Sequence, residues 1–84
     1  MVINKKLLQE KTKEKLLTLE GVNDAYIDVL EEMLSSARQG KNFYHYFNDD
    51  PVIFYRLRDI LKIDGYDISV YDEFVTNKFM VIGW

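Results

Sequence analysis

The single histidine, His45, is the side chain best suited to acid–base chemistry, because histidine ordinarily titrates close to neutral pH. A general base or a metal ligand needs further groups arranged around it. The chain has no cysteine and no second histidine, so carboxylates alone would have to complete a metal site. We therefore interpret His45 as a strand residue among aromatic neighbours, and we predict neither a catalytic residue nor a bound metal.

The acidic residues in the second half of the chain have structural roles in this interpretation. Asp49 and Asp50 precede Pro51, and an aspartate followed by a proline is typical of a helix start. Residues 64–67, Asp-Gly-Tyr-Asp, predict a turn. They do not place oxygen ligands at the alternating positions, with a closing glutamate, that a calcium loop requires. These carboxylates therefore predict caps and turns.

The sequence pattern predicts neither an activated nucleophile nor a phosphate-binding loop. Ser35 and Ser36 fall inside a predicted helix, and neither has a visible base. Gly40 and Gly65 are isolated, so neither belongs to a glycine-rich phosphate loop. We predict that the protein is not an enzyme and that it uses no cofactor.

Length and charge limit the remaining function classes. The 84 residues predict one domain, residues 1–84, with a small core. The net charge of −3 divides into a mildly basic first twenty residues and an acidic remainder, which disfavours nucleic acid as a partner. No apolar run approaches the length of a membrane span and no signal-peptide core follows the N-terminus. We therefore expect a cytoplasmic protein without a membrane partner.

Apolar periodicity and end signals predict three helices. The first covers about residues 3–19, where a thin stripe of leucines runs through a Lys/Glu-rich segment. The second covers about residues 23–38, with Asn23 as its N-cap. The third covers about residues 51–63 and ends before Gly65, a residue typical of helix C-caps.

Alternation of side-chain type predicts three strands, at about residues 42–47, 66–72 and 78–84. The first is aromatic almost throughout, and aromatic residues favour strands. The element order is then α-α-β-α-β-β. This order predicts the α+β class, as a small single domain with a three-stranded sheet packed on helices.

The six tyrosines, five phenylalanines and one tryptophan are more than so small a core can use. Tyr44 and Tyr46 share one face of the first strand, Tyr71 lies on the second strand, and Phe74 and Val75 fall in the predicted hairpin loop. Exposed tyrosines are enriched at protein interfaces, so these five residues are the protein-binding candidates. The alternative is that a second layer, the first helix or the loop itself, covers them.

Arg56, Arg58 and Lys62 lie on the third helix, directly ahead of the hairpin. A helix followed by a two-stranded wing resembles a winged helix in outline, which makes these residues candidates for nucleic-acid binding. Asp49 and Asp50 at the start of that helix would repel phosphate. RNA stacking on an aromatic sheet is a third option, and it is weakened because no Lys or Arg is interleaved among the candidate aromatics.

The C-terminal half resembles small uncharacterised accessory proteins of tailed phages, which pair a helix with a Gly-Tyr turn and a hairpin that ends in an apolar residue and Trp. The residues that carry the likeness are Leu57, Leu61, Gly65, Tyr66, Ile68, Val70 and the closing Val81-Ile82-Gly83-Trp84. The resemblance covers only residues 49–84 and transfers no functional residue. It implies a phage accessory protein that binds a host component in the host cytoplasm.

The leading hypothesis is a small non-enzymatic protein of phage type that acts by protein–protein binding and inhibits or modulates a host factor. An acidic rim would steer it toward a basic partner. We also expect self-association, as a homodimer or larger homo-oligomer, because the first helix is thinly amphipathic. The alternative hypothesis is a winged-helix-like nucleic-acid-binding protein.

Overall fold

A computed structural model describes residues 3–71 and 78–84 and confirms the predicted α+β class and element order. The elements are α1 (Lys5–Leu17), α2 (Val22–Arg38), β1 (Phe43–Phe47), α3 (Pro51–Ile63), β2 (Asp67–Tyr71) and β3 (Phe79–Gly83). The strands form one antiparallel sheet in the order β1-β3-β2.

The register of the sheet decides which side chains share a face. Phe79 of β3 lies opposite Phe47 of β1 on one side and opposite Tyr71 of β2 on the other. Because side chains alternate along a strand, the sheet has two faces of different composition. We name one the covered face, which carries Tyr44, Tyr46, Ile68, Val70, Met80 and Ile82. We name the other the aromatic face, defined by Phe43, His45, Phe47, Tyr71 and Phe79.

Helices α2 and α3 pack on the covered face, α2 against β1 and α3 against β2. The centre of the core is fully buried and consists of Phe54, Leu57, Ile60 and Leu61 of α3 with Met80 and Ile82 of β3. The spacing of the α3 residues places them on one side of the helix, which is the pattern of an amphipathic helix on a sheet. The same sheet face therefore supplies the apolar surface that α3 needs.

The ends of α3 match their sequence signals. The Asp50 side chain accepts hydrogen bonds from the backbone N–H of Val52, at 2.9 Å, and of Ile53. At the other end Gly65 has a φ of 98°, a left-handed conformation that glycine adopts without strain. The backbone N–H of Tyr66 then donates to the carbonyl of Leu61 at 3.1 Å. This closure aims the chain directly into β2.

The N-cap predicted for α2 is wrong. Gly21, with a φ of 78°, is the cap residue, and Asn23 lies inside the first turn. The reason is burial, because Val22 is only 1% exposed and belongs to the core, so packing extends the helix backwards past the better capping side chain.

The stripe predicted for α1 is only partly used. Leu8 is 57% exposed and Thr12 is also exposed, whereas Leu16 is buried. Lys13 forms a salt bridge with Asp64, the C-cap residue of α3, and this carboxylate also accepts the hydroxyl hydrogen bond of Tyr26. The helix is therefore held by one end of its stripe and a polar link.

Candidate functional site

The aromatic face is a row of rings that the helices leave open. Phe47 is 62% exposed, Tyr71 45% and Phe43 41%, and His45 is exposed as well. Helices α2 and α3 contact the sheet from the other side. An exposed cluster of large apolar side chains costs solvation free energy in the isolated domain, and such clusters mark interaction sites.

Phe79 is the centre of the aromatic face. Its ring stacks on Tyr71 of β2 with centroids 5.1 Å apart and an interplanar angle of 14°. On the other side it meets Phe47 at 5.5 Å and His45 at 5.6 Å, both on β1. Cross-strand ring pairs at these distances hold one another in place. The face therefore presents ordered rings across all three strands.

The described residues of the aromatic face carry little charge. Among the strand residues that point to this side, Asp67 carries the one formal charge of those described, and none is Lys or Arg. The imidazole of His45 lies between the rings of Phe43, at 5.4 Å, and Phe79. Without cations beside the rings, a nucleic-acid backbone would meet no phosphate contacts here.

The structure places Tyr44 and Tyr46 on the covered face. Tyr46 is 9% exposed, stacks on Phe54 with centroids 6.3 Å apart, and its hydroxyl accepts a hydrogen bond from the Asn48 side chain at 2.8 Å. Tyr44 is half-buried against the same core. Burial raises the pKa of both phenols. For this pair, therefore, a second layer does cover the rings, but it is formed by α2 and α3, whereas the alternative named the first helix or the loop.

Tyr71 is the one candidate found on the aromatic face, and the sheet itself separates it from Tyr44 and Tyr46. Phe74 and Val75 lie outside the described residues. The five protein-binding candidates are thus not brought together as one surface.

The basic candidates are divided between the two flanks of α3. Arg56 is exposed on one flank, whereas Arg58 and Lys62, one turn apart, share the other. The guanidinium of Arg58 donates to Asp59 at 3.0 and 3.1 Å and lies 4.9 Å from the ring centroid of Tyr55. Strand β1 also separates α2 from α3, so these helices lack the short turn of a helix-turn-helix unit. This arrangement does not form a continuous basic recognition surface.

Sequence reasoning missed the surface formed by Phe43, His45, Phe47 and Phe79. Periodicity shows that alternate residues share a face, but it does not say which face the helices cover when both are aromatic. The signal lay in β2, where Asp67 and Ser69 alternate with apolar residues and so mark the open side. Using that signal requires the pairing register, which only the folded sheet supplies.

An apolar groove of about 270 Å³ runs beside α2, and its lining residues are Leu30, Met33, Leu34, Ala37, Tyr66 and Trp84. Ligand pockets need a few convergent polar groups to fix orientation, and this lining is almost wholly apolar.

Within the described ranges, no group of three or more histidines and carboxylates is placed to hold a metal ion. No helix in the part of the chain that the structure describes is long and apolar enough to cross a membrane.

Comparison with known proteins returned no match to a family model, to a curated protein or to a solved structure.

Proposed function

We propose that this chain is a non-enzymatic binding protein that recognises another protein through the aromatic face. The observation that carries the proposal is the set of exposed rings on β1, β2 and β3, on the side of the sheet opposite α2 and α3. Aromatic side chains supply large contact area at a low cost in conformational entropy, which is why they dominate the centres of interfaces.

The size of the face favours a different protein over a second copy. Three five-residue strands present a flat surface of roughly 17 by 14 Å. A stable interface buries about 800 Å² on each partner, so two copies stacked face to face would fall well short. The partner must therefore reach past the face to its edges, and the acidic body of the domain favours one with basic residues there.

The test compares two alanine variants with a matched control. The double variant Phe47→Ala, Tyr71→Ala removes the outer rings of the face, and Leu34→Ala removes a similarly exposed side chain from α2. We expect the double variant to capture about tenfold less of the cellular partner than wild type does, and Leu34→Ala to capture the wild-type amount. Untagged wild type should compete for the same partner.

Two results would overturn the proposal. One is full retention of the partner by the double variant with its fold intact. The other is salt-sensitive binding of single-stranded RNA or duplex DNA that is lost in Arg58→Ala, Lys62→Ala, which would favour the nucleic-acid alternative. A phage origin, a host-encoded partner and self-association stay predictions, and light scattering across a dilution series tests the last of these.

A further inference from the structure

We propose that the outer edge of β1, with which no strand of the described residues pairs, accepts an extended segment of the partner as a fourth strand, and that this segment alternates apolar with basic residues. The inference rests on the proposed function and adds to it the mode of binding and the chemistry of the partner. It is carried by the hydrogen-bond phase of β1, by the residues along its edge and by the acidic flank of α2.

The hydrogen-bond phase shows which backbone groups are open. The backbone N–H of Trp84 donates to the carbonyl of Asn42 at 3.0 Å, so this pair is of the hydrogen-bonded type. Such pairs alternate along an antiparallel ladder. Tyr44 and Tyr46 therefore direct their backbone groups toward β3. The N–H and C=O groups of Phe43, His45 and Phe47 point outward, away from β3, the strand with which β1 pairs in the described chain.

The edge of β1 lacks the devices that usually protect an edge strand. Natural edges carry lysine, proline or other charged side chains that block pairing with another chain. Residues 43–47 contain none of these, whereas β2, the other edge, begins with Asp67. Of the two edges, β1 is therefore the better acceptor for an added strand.

Two carboxylates of α2 lie on the covered side of the sheet, on the flank nearest this edge. Asp28 and Glu32 are one turn apart on the same flank of α2. Tyr26 lies on the opposite flank and bonds to Asp64 at the end of α3, so the carboxylate flank faces away from α3, above β1. Burial and then the charge of Glu32 raise the pKa of Tyr44; at Tyr46 burial and the charge of Asp28 raise the pKa, whereas the hydrogen bond from Asn48 lowers it.

These observations fix the pattern of the segment. Residues paired with Phe43, His45 and Phe47 would project onto the aromatic face and should be apolar. The residues between them would project to the covered side, beneath Asp28 and Glu32, and should be Lys or Arg. The pattern is apolar-basic-apolar-basic-apolar.

A second copy fits this edge less well, although residues 43–47 read the same in both directions. In a two-fold pairing centred on His45, the Asp28 and Glu32 of each copy would meet those of the other. Helices centred on adjacent strands would also lie about 5 Å apart, closer than the 8–10 Å at which helices pack. A peptide strand without its own helix avoids both problems.

The experiment uses a labelled synthetic peptide with a Val-Lys-Val-Lys-Val core between Ser-Gly flanks, titrated with the full chain by fluorescence anisotropy at low salt. We expect weak but saturable binding, since a single added strand buries less surface than a standard interface. The charge-reversed variant Asp28→Lys, Glu32→Lys should bind about tenfold more weakly, since two favourable pairs become repulsive. A peptide with glutamates in place of the lysines should reverse this preference.

Peptide N-methylation separates strand addition from charge attraction alone. Methyl groups on the amides that bond to β1 should abolish binding, and methyl groups on the alternate amides should not. No measurable binding, or binding that is indifferent to both N-methylation and charge reversal, would overturn the inference, as would a dimer in which β1 pairs with β1. If the peptide fails while Phe47→Ala, Tyr71→Ala still loses the cellular partner, the strand-addition model falls and the proposed function stands.

Discussion

The two faces of the same three strands differ in their exposure to solvent. On the covered face, Met80 and Ile82 are fully buried beneath the helical layer. On the aromatic face, Phe47 of β1 and Tyr71 of β2 remain about half exposed. On β1 both faces carry aromatic side chains, so the composition of that strand does not show which face the helices cover. The difference comes from the helices, which cover one side and leave the other open.

This comparison separates residues that hold the fold together from residues available for binding. A buried apolar side chain contributes about 1.5–3 kcal/mol relative to an exposed one, so the covered face accounts for much of the free energy of unfolding. The exposed rings of the aromatic face bury less apolar area and so contribute less to the free energy of unfolding. Their contact with water is unfavourable, and a partner that covered them would remove this cost.

The largest expected effect is a stability difference between neighbours on β3. Ile82→Ala should lower the free energy of unfolding by about 2–5 kcal/mol, because it leaves a cavity in a fully packed site. Val81→Ala, on the opposite face and half-buried, should cost less than about 1 kcal/mol. Urea denaturation followed by circular dichroism measures both. Equal losses in the two variants would contradict the division of the sheet into a covered and an open face.

Much of the fold could be predicted because local signals and packing agree. Asp50, Pro51 and Gly65 bound α3, and the apolar period within it matches the buried side. At α2 they disagree, since burial of Val22 overrides the capping preference of Asn23. The tyrosine site could not be predicted, because which parity of β1 meets the helices depends on long-range pairing.

A smaller effect on the free energy of unfolding should distinguish the contribution of the Tyr46 hydroxyl from that of its ring. Tyr46→Phe keeps the stack on Phe54 and removes only the hydroxyl that accepts from Asn48. We expect a loss of about 1 kcal/mol in the free energy of unfolding, the usual contribution of one hydrogen bond. Asn48→Ala also removes the acceptor of the Asp50 backbone N–H, so the double variant should cost little more than Asn48→Ala alone. Simple additivity would mean that the bond contributes nothing, and Tyr46 would then belong to the covered face through packing only.

The smallest expected effect concerns alkaline pH and again distinguishes the covered face. Burial raises the pKa of Tyr44 and Tyr46 above the ordinary tyrosine value of 10.0. The folded protein therefore holds these phenolic protons more tightly than the unfolded chain does. Their contribution to stability is complete below pH 10.0 and is lost as the pH rises through the folded-state values.

Removing both phenols should make the alkaline loss of stability shallower. Unfolding free energies measured by urea at about pH 9 and about pH 11 should fall less in Tyr44→Phe, Tyr46→Phe than in wild type, because the variant has fewer buried groups to ionise. Lys13 and Tyr26 also have raised pKa values and remain in both proteins, so their contribution to the decline cancels in the comparison. An identical decline in the two proteins would show that water reaches both phenols, and the covered face would then be less tightly closed by α2 than the burial of Tyr46 indicates.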